Sequence, residues 1–323
     1  MNGAMRIVIA HAEADAGRAW RDALAARLPG ATVMIDPGTP DGAGPEAAPA
    51  DFDAQWAIGW APPPDFFGRH PRLRGFFASG AGVDSLLRHP GLPEGLPVLR
   101  IEDAGMGELM ADYCLHELLR IAGRHDRYAA QQTARVWHEH AGHTRAELPV
   151  GIFGVGVLGT QVAQHLARAG FPVCGYARSA KTLDGIEVLH GADRWPEFLA
   201  RTRVLVLLAP RTPHTENLID RSVFERMQPG GWLINVARGA LVVDADLIAA
   251  LDSGRLAGAT LDVFRQEPLP ADHPFWTHPR IRITPHASAP TQIPVSAAQV
   301  ATKLAAFARG DTPSGLVERG RGY

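Results

Sequence analysis

Pro149-Val150-Gly151-Ile152-Phe153-Gly154-Val155-Gly156-Val157-Leu158-Gly159 carries a short apolar stretch straight into a G-x-G-x-x-G at the start of a helical pattern. That context predicts a dinucleotide-binding turn: Gly154 for the tight exit from the strand, Gly156 for close backbone approach to a pyrophosphate, and Gly159 for a helix set tight against the sheet. The helix N-terminus adds unpaired N–H groups and the positive end of its dipole. Leu158, Val162, Leu166 and Ala169 then mark one buried helix face, and Phe171 to Tyr176 follows as the next strand.

Around this unit the composition is that of an ordinary soluble protein. The chain has 323 residues, 46% hydrophobic and 20% charged, with a formal net charge of −2. That length predicts two domains, and the near-zero charge gives no general attraction to nucleic acid or anionic lipid. Cys114 and Cys174 are the only cysteines and lie in apolar segments, which fits a reducing cytoplasm better than a disulfide framework. No apolar run is long enough to span a bilayer. The expectation is a soluble cytoplasmic protein.

Upstream of the glycines, strands are predicted at Ile7–Ala10, Thr32–Ile35, Trp56–Gly59, Gly75–Ser79 and Val98–Ile101, with a helix over Asp15–Leu28. The Pro-, Gly- and Asp-rich stretch from Pro37 to Asp53 has no periodicity and reads as an exposed, disordered loop. A long helix over Gly107–Arg127 links to the second domain. Further strands follow at Val204–Leu208, Trp232–Val236, Ala259–Phe264 and Ile281–Thr284, with a helix over Asp246–Ser253 capped by Gly254. The final helix, Val295–Ala308, is expected to pack back on the first domain. The fold class is thus α/β, two Rossmann-like or flavodoxin-like parallel-sheet domains with a cleft between them. Residues 1–102 with 287–323 would form a substrate domain, and residues 103–286 an NAD(P)-binding domain.

An acidic residue usually grips the ribose 2′-OH about 20 residues past the glycines in NAD-preferring folds. Here the second strand runs into Ala177-Arg178-Ser179-Ala180-Lys181. Arg178 and Lys181 can neutralise a 2′-phosphate and Ser179 can hydrogen-bond it, so NADP(H) is expected over NAD(H).

Three segments place polar groups at predicted strand ends, where ligands sit in open α/β sheets: Asn235-Val236-Ala237-Arg238-Gly239, Leu261-Asp262-Val263-Phe264-Arg265-Gln266-Glu267-Pro268, and Thr284-Pro285-His286-Ala287-Ser288. With the glycine motif, Ser79 to Asp84, Met106-Gly107-Glu108 and the ending Arg321-Gly322-Tyr323, they resemble the D-2-hydroxyacid dehydrogenase family over nearly the whole chain. The likeness is strongest to its bacterial glyoxylate/hydroxypyruvate reductases. The resemblance implies that Arg238 binds a 2-oxo acid, His286 is the acid/base and Glu267 hydrogen-bonds His286. It also implies a cofactor set of Gly154, Gly156, Val157, Leu158, Gly159, Arg178, Ser179, Lys181, Pro210, Ala237 and Asp262. The chemistry asks for the same triad: hydride reaching a ketone carbon builds negative charge on oxygen, which an imidazolium quenches while a guanidinium fixes the carboxylate.

In the first domain Gly80, Ala81 and Gly82 can offer backbone N–H groups to a carboxylate. Trp60, Trp137 and Trp276 are candidates to wall the pocket or to pack in a core. His138, His140 and His143 lack a completing ligand, so no metal is predicted. Tyr128 to His143 resembles the family's dimerisation arm, which implies a homodimer. A larger 2-oxo acid substrate, or a dinucleotide-sensing binding protein without catalysis, remain the alternatives.

Overall fold

A computed structural model describes residues 5–322 and divides the chain into two compact units. One comprises the chain up to Gly105 and from Thr291 on, the other Met106–Pro290.

The first unit carries β1 (Met5–His11), β2 (Ala31–Ile35), β3 (Trp56–Trp60), β4 (Gly75–Ala78) and β5 (Val98–Leu99), parallel, in the order β2-β1-β3-β4-β5. That is the flavodoxin-like order, with the reversal between β1 and β3. Five consecutive residues of β1, Ile7 to His11, are buried, as a parallel strand covered on both faces requires. The helix Ile293–Ala308 packs on the helix Ala16–Ala25, and Phe307 lies 5.2 Å from the ring of Trp56, so the C-terminal helix does return to the first sheet.

Residues 37–53 form a loop in which most residues are exposed, as their composition suggests, but the loop is anchored rather than disordered. Thr39, Asp41 and Ala48 are buried, and Ile35 bridges to Ala47. Two acidic side chains pin the segment. Asp36 accepts from Gly38 N (2.9 Å) and Arg69 (2.6 Å) and meets His70 Nε2 at 2.8 Å. Asp41 accepts from the N–H groups of Asp15 (3.0 Å) and Arg18 (3.2 Å), capping the helix Ala16–Ala25 from a distant position in the chain. Composition marks these carboxylates as loop formers because their partners are remote.

The second unit carries β6 (Val150–Phe153), β7 (Val173–Ala177), β8 (Glu187–His190), β9 (Val204–Leu207), β10 (Gly231–Asn235), β11 (Leu256–Leu261) and β12 (Ile281–Ile283) in the order β12-β11-β10-β9-β6-β7-β8, again parallel. Alternate residues of β9 feed opposite cores: Leu205 and Leu207 one, Val204 and Val206 the other. The chain enters this sheet in its interior, on β6, and returns beside it on the central strand β9, so the order reverses between those two strands. A ligand crevice is expected at such a reversal, off the carboxyl ends of the strands.

The structure departs from two further expectations. The helix predicted over 107–127 is Met106–Ala122, followed by a break at Gly123 and Arg124 (φ 57°) and a second helix, His125–Ala134, none of whose residues is buried. The apolar stripe ends at Ile121, so nothing holds the helix in line beyond it. Strand β8 has no counterpart among the predicted strands, because at the sheet edge only Leu189 is buried and Glu187 and His190 face outward. No described helix is long and apolar enough to cross a membrane.

Candidate active site

The glycine turn opens at the end of β6. Gly154 has φ 104°, and a Cβ there would stand 2.3 Å from Ala209 N. A Cβ on Gly159 would stand 2.0 Å from Gly154 O, so the helix Val157–Arg168 sits directly against the turn. A Cβ on Gly156 would meet nothing within 4 Å. The first and third glycines are therefore demanded by this chain's own backbone, whereas the second keeps a free surface at a helix N-terminus. Val157 is exposed and Leu158 half-buried on that first turn.

Arg178, Ser179 and Lys181 lie just past the end of β7, all three exposed. Lys181 reaches back to the glycine turn, donating to Val155 O (2.7 Å) and Thr160 Oγ1 (2.9 Å). The basic loop is thus tethered to the turn, a contact that spacing alone did not indicate. Pro210 is exposed past β9, with its carbonyl accepting from Thr215 Oγ1 at 2.7 Å. Ala237 is buried past β10.

Asn235 ends β10 and shapes the turn that presents Arg238. Its amide donates to Arg238 O (3.0 Å) and its oxygen accepts from Ala237 N (3.1 Å). The half-buried Arg238 guanidinium donates to Ala237 O at 2.6 Å.

Asp262, past β11, is fully buried, and both its oxygens serve the segment that carries His286. Oδ1 accepts from Thr284 Oγ1 (2.6 Å) and Ala287 N (2.8 Å), and Oδ2 from Ser288 N (3.0 Å). The carbonyl of Asp262 accepts from His286 N at 2.8 Å. Tyr113 adds a further link, its hydroxyl 2.6 Å from Thr284 Oγ1. Burial pushes the Tyr113 phenol up, so it stays a neutral partner. Held this way, His286 adopts φ 54°, a left-handed conformation that a non-glycine residue keeps only where its surroundings impose it.

The imidazole Nδ1 of His286 meets Glu267 Oε2 at 2.8 Å, and Oε1 of Glu267 accepts from Phe264 N at 2.9 Å. Burial pushes the Glu267 carboxyl up, but the hydrogen bonds from His286 and Phe264 and the charges of His286 and Arg238 outweigh it, leaving Glu267 below its ordinary range. The fold thus gathers Arg238, Glu267 and His286 at the carboxyl edge of one sheet. Both His286 and Glu267 remain accessible, with side chains 42% and 36% exposed. The arrangement can hold a proton on an exposed imidazole with a carboxylate behind it.

In the first unit Trp60 ends β3, and a Cβ on Gly80 would meet its ring at 3.2 Å, so Trp60 lies over the loop formed by Gly80, Ala81 and Gly82. Trp137 is fully exposed and Trp276 is 51% exposed with its indole N–H on Pro270 O, so neither is a core residue. His140 and His143 lie beside Arg127 and Arg124, and burial with those cations pushes both imidazoles down. Among the described residues, no group of three or more His, Cys, Asp or Glu is placed to hold a metal. Sequence reasoning misses Thr284 and Tyr113, whose only signal is a polar atom on an otherwise apolar face.

Residues 115–288 match the family described as D-isomer specific 2-hydroxyacid dehydrogenase, NAD binding domain. A glyoxylate/hydroxypyruvate reductase A of Yersinia enterocolitica is 40% identical over 324 residues, covering 99% of this chain and 100% of that one. A D-isomer specific 2-hydroxyacid dehydrogenase from Xanthobacter autotrophicus, solved with NADPH and MES, matches with a TM-score of 0.91 at 36% identity, over 99% of this chain and 100% of that one. An NADPH-dependent glyoxylate/hydroxypyruvate reductase from Sinorhizobium meliloti, solved with NADP and sulfate, matches with a TM-score of 0.89 at 33% identity and the same coverage.

Proposed function

Because this chain belongs to the D-isomer specific 2-hydroxyacid dehydrogenases, we propose that it reduces small 2-oxo acids with NADPH, taking glyoxylate to glycolate and hydroxypyruvate to D-glycerate. The observation that carries this reading is the 2.8 Å pairing of Glu267 with His286 on the sheet edge that also bears Arg238. A nicotinamide dinucleotide fits the residues present: the open face of Gly156 at a helix N-terminus suits a pyrophosphate, and the Arg178 to Lys181 loop suits a 2′-phosphate. When bound, the cofactor supplies the hydride.

The rest is the work of this chain's side chains. Arg238 pairs with the substrate carboxylate and polarises the adjacent carbonyl. His286 delivers a proton to the carbonyl oxygen as charge develops there, and Glu267 keeps the ring oriented. The amides of Gly80, Ala81 and Gly82, with Trp60, are assigned to the substrate. Asp262 acts through the turn that carries His286. The relatives named for glyoxylate and hydroxypyruvate, together with the NADP and NADPH in two related structures, support the substrate and cofactor choices.

The fully exposed Trp137, beyond a helix that buries nothing, supports a homodimer formed through residues 128–143, which light scattering will read as twice the chain mass. Two buried free thiols suit a reducing cytoplasm. The deciding experiment compares initial rates of NADPH and NADH oxidation with glyoxylate, hydroxypyruvate, pyruvate and phenylpyruvate. Fast NADPH turnover with the first two is expected. Preference for phenylpyruvate would replace the substrate, and tight NADPH binding without turnover would replace catalysis with sensing.

A further inference from the structure

Arg265 lies two residues before Glu267, and its guanidinium crosses to two other segments. It donates to Val242 O and Asn217 Oδ1, and its Nε stands 3.3 Å from Asp244 Oδ1. Val242 and Asp244 follow Arg238 on the same strand-to-helix connection. Asn217 is tied to that connection as well, through its N–H on Ala240 O at 2.9 Å. Backbone contact reinforces the junction: a Cβ on Gly239 would stand 2.0 Å from Phe264 C and 2.4 Å from Arg265 N.

Arg265 and Asp244 also line a cavity of about 220 Å³ that the Glu267 loop borders, together with Phe264, Leu269, His273 and Phe275. Beside that open space the Arg265 hydrogen bonds tie the loop to the segment that follows Arg238. From this geometry we propose that Arg265 is a positioning residue that sets the spacing between the Arg238 segment and the Glu267 loop, and so keeps Glu267 on His286.

A single ammonium cannot reach three acceptors spread over such an arc, whereas a planar fork can, which makes arginine the suitable side chain. Asp244 is the least important of the three anchors. Burial pushes its carboxyl up, in spite of Arg265 and of His273 at 3.8 Å, so its charge is not a strong stabiliser of the fold. The inference rests on the reductase reading for its kinetic consequences, but not for its structural one.

The test uses the full-length protein carrying Arg265→Met, Arg265→Lys or Asp244→Asn. With Arg265→Met, kcat on glyoxylate should fall roughly 10- to 100-fold, as small displacements of catalytic groups do, with NADPH affinity unchanged. The acid limb of the pH profile should move upward, because Glu267 loses the hydrogen bonds that hold its carboxyl down. Arg265→Lys should recover part of the loss, and Asp244→Asn should lose less than Arg265→Met. A carboxyl titration of 13C-glutamate-labelled protein, with Glu267 assigned by its absence in Glu267→Gln, reads the same displacement without any turnover. An unmoved Glu267 titration in folded Arg265→Met would overturn the proposal, even if no 2-oxo acid is reduced by the native enzyme. If Arg265→Met does not fold, Asn217→Ala removes one anchor only, and an unchanged Glu267 titration there and in Arg265→Lys would overturn it equally. Failure of the native enzyme on every 2-oxo acid, with the titration shift present, would reject the functional reading and keep the positioning role.

Discussion

Glu267 and His286 are 19 positions apart in the chain and 2.8 Å apart in space, Oε2 to Nδ1. The pair fixes which imidazole nitrogen is left open: with Nδ1 on the carboxylate, Nε2 is the one that would donate the proton under the proposed mechanism. Glu267 sits below its ordinary range of about 4.5, since its hydrogen bonds and the nearby positive charges outweigh burial. A depressed carboxyl stays ionised and paired above that range and is lost as pH falls through its lowered value. Activity should therefore hold down to mildly acidic pH and fall only below the usual carboxylate range. In Glu267→Gln that acid limb should vanish, and kcat should drop about 100-fold at neutral pH. A kcat/KM profile from acid to neutral pH checks both, and an unaltered profile in the variant would remove Glu267 from the mechanism.

Asp262 holds the segment that carries His286 and should therefore affect turnover through the backbone. Its buried carboxylate receives Thr284 Oγ1, Ala287 N and Ser288 N. Asp262→Asn supplies one acceptor oxygen in place of two and turns a donor toward an N–H group. The expected cost is about 2 kcal/mol of stability, the usual penalty for a buried donor left unmet. His286 loses its imposed left-handed conformation in the same step, so kcat should fall while NADPH affinity is retained. Urea unfolding and cofactor titration separate the two effects.

The glycine turn allows a sharper contrast between fold and function. Gly154→Ala puts a Cβ into the backbone of Ala209 at φ 104° and should destabilise the protein by about 3 kcal/mol or more. Gly156→Ala meets nothing within 4 Å and should leave stability within about 0.5 kcal/mol of native. If Gly156 faces a pyrophosphate, that stable variant should nonetheless bind NADPH far more weakly. Thermal unfolding alongside fluorescence titration of NADPH gives the answer, and normal binding by Gly156→Ala would move the cofactor elsewhere.

What is legible in the sequence follows from how local each signal is. The strands of the second unit are readable because parallel strands buried on both faces are apolar without interruption, as in Val204-Leu205-Val206-Leu207. The three glycines are readable because their spacing at a strand-to-helix turn is local, although the steric demand on Gly154 comes from Ala209 far along the chain and Gly156 has no such demand within the protein. Residues 37–53 mislead because Asp36 and Asp41 find their partners at His70, Arg69 and the start of a distant helix, which no window of sequence contains. Strand β8 is hidden by its edge position. The triad is recognisable as residue types in order, but the parts that hold it, Thr284 and Tyr113 around Asp262 and the arm of Arg265, depend on contacts between segments far apart in the chain.

If the loop past β7 decides between the two dinucleotides as proposed, its two cations should not behave alike. Arg178 is exposed and carries a planar fork suited to a phosphate, and Lys181 is an ammonium that donates to Val155 O and Thr160 Oγ1 of the glycine turn. Arg178→Glu sets a negative charge against a 2′-phosphate and keeps the Lys181 tether in place. The ratio of kcat/KM for NADPH over NADH should then fall roughly 10- to 100-fold, the worth of one or two hydrogen bonds to a charged group, with NADH kinetics nearly unchanged. Lys181→Met removes the tether as well as a charge, so it should weaken both cofactors and narrow the ratio less. Salt provides an independent check, because a phosphate held by cations at the surface is screened: NADPH affinity in the native protein should decline with ionic strength more steeply than NADH affinity, and Arg178→Glu should abolish the difference. If Arg178→Glu left the ratio unchanged, the preference would have to come from another part of the turn.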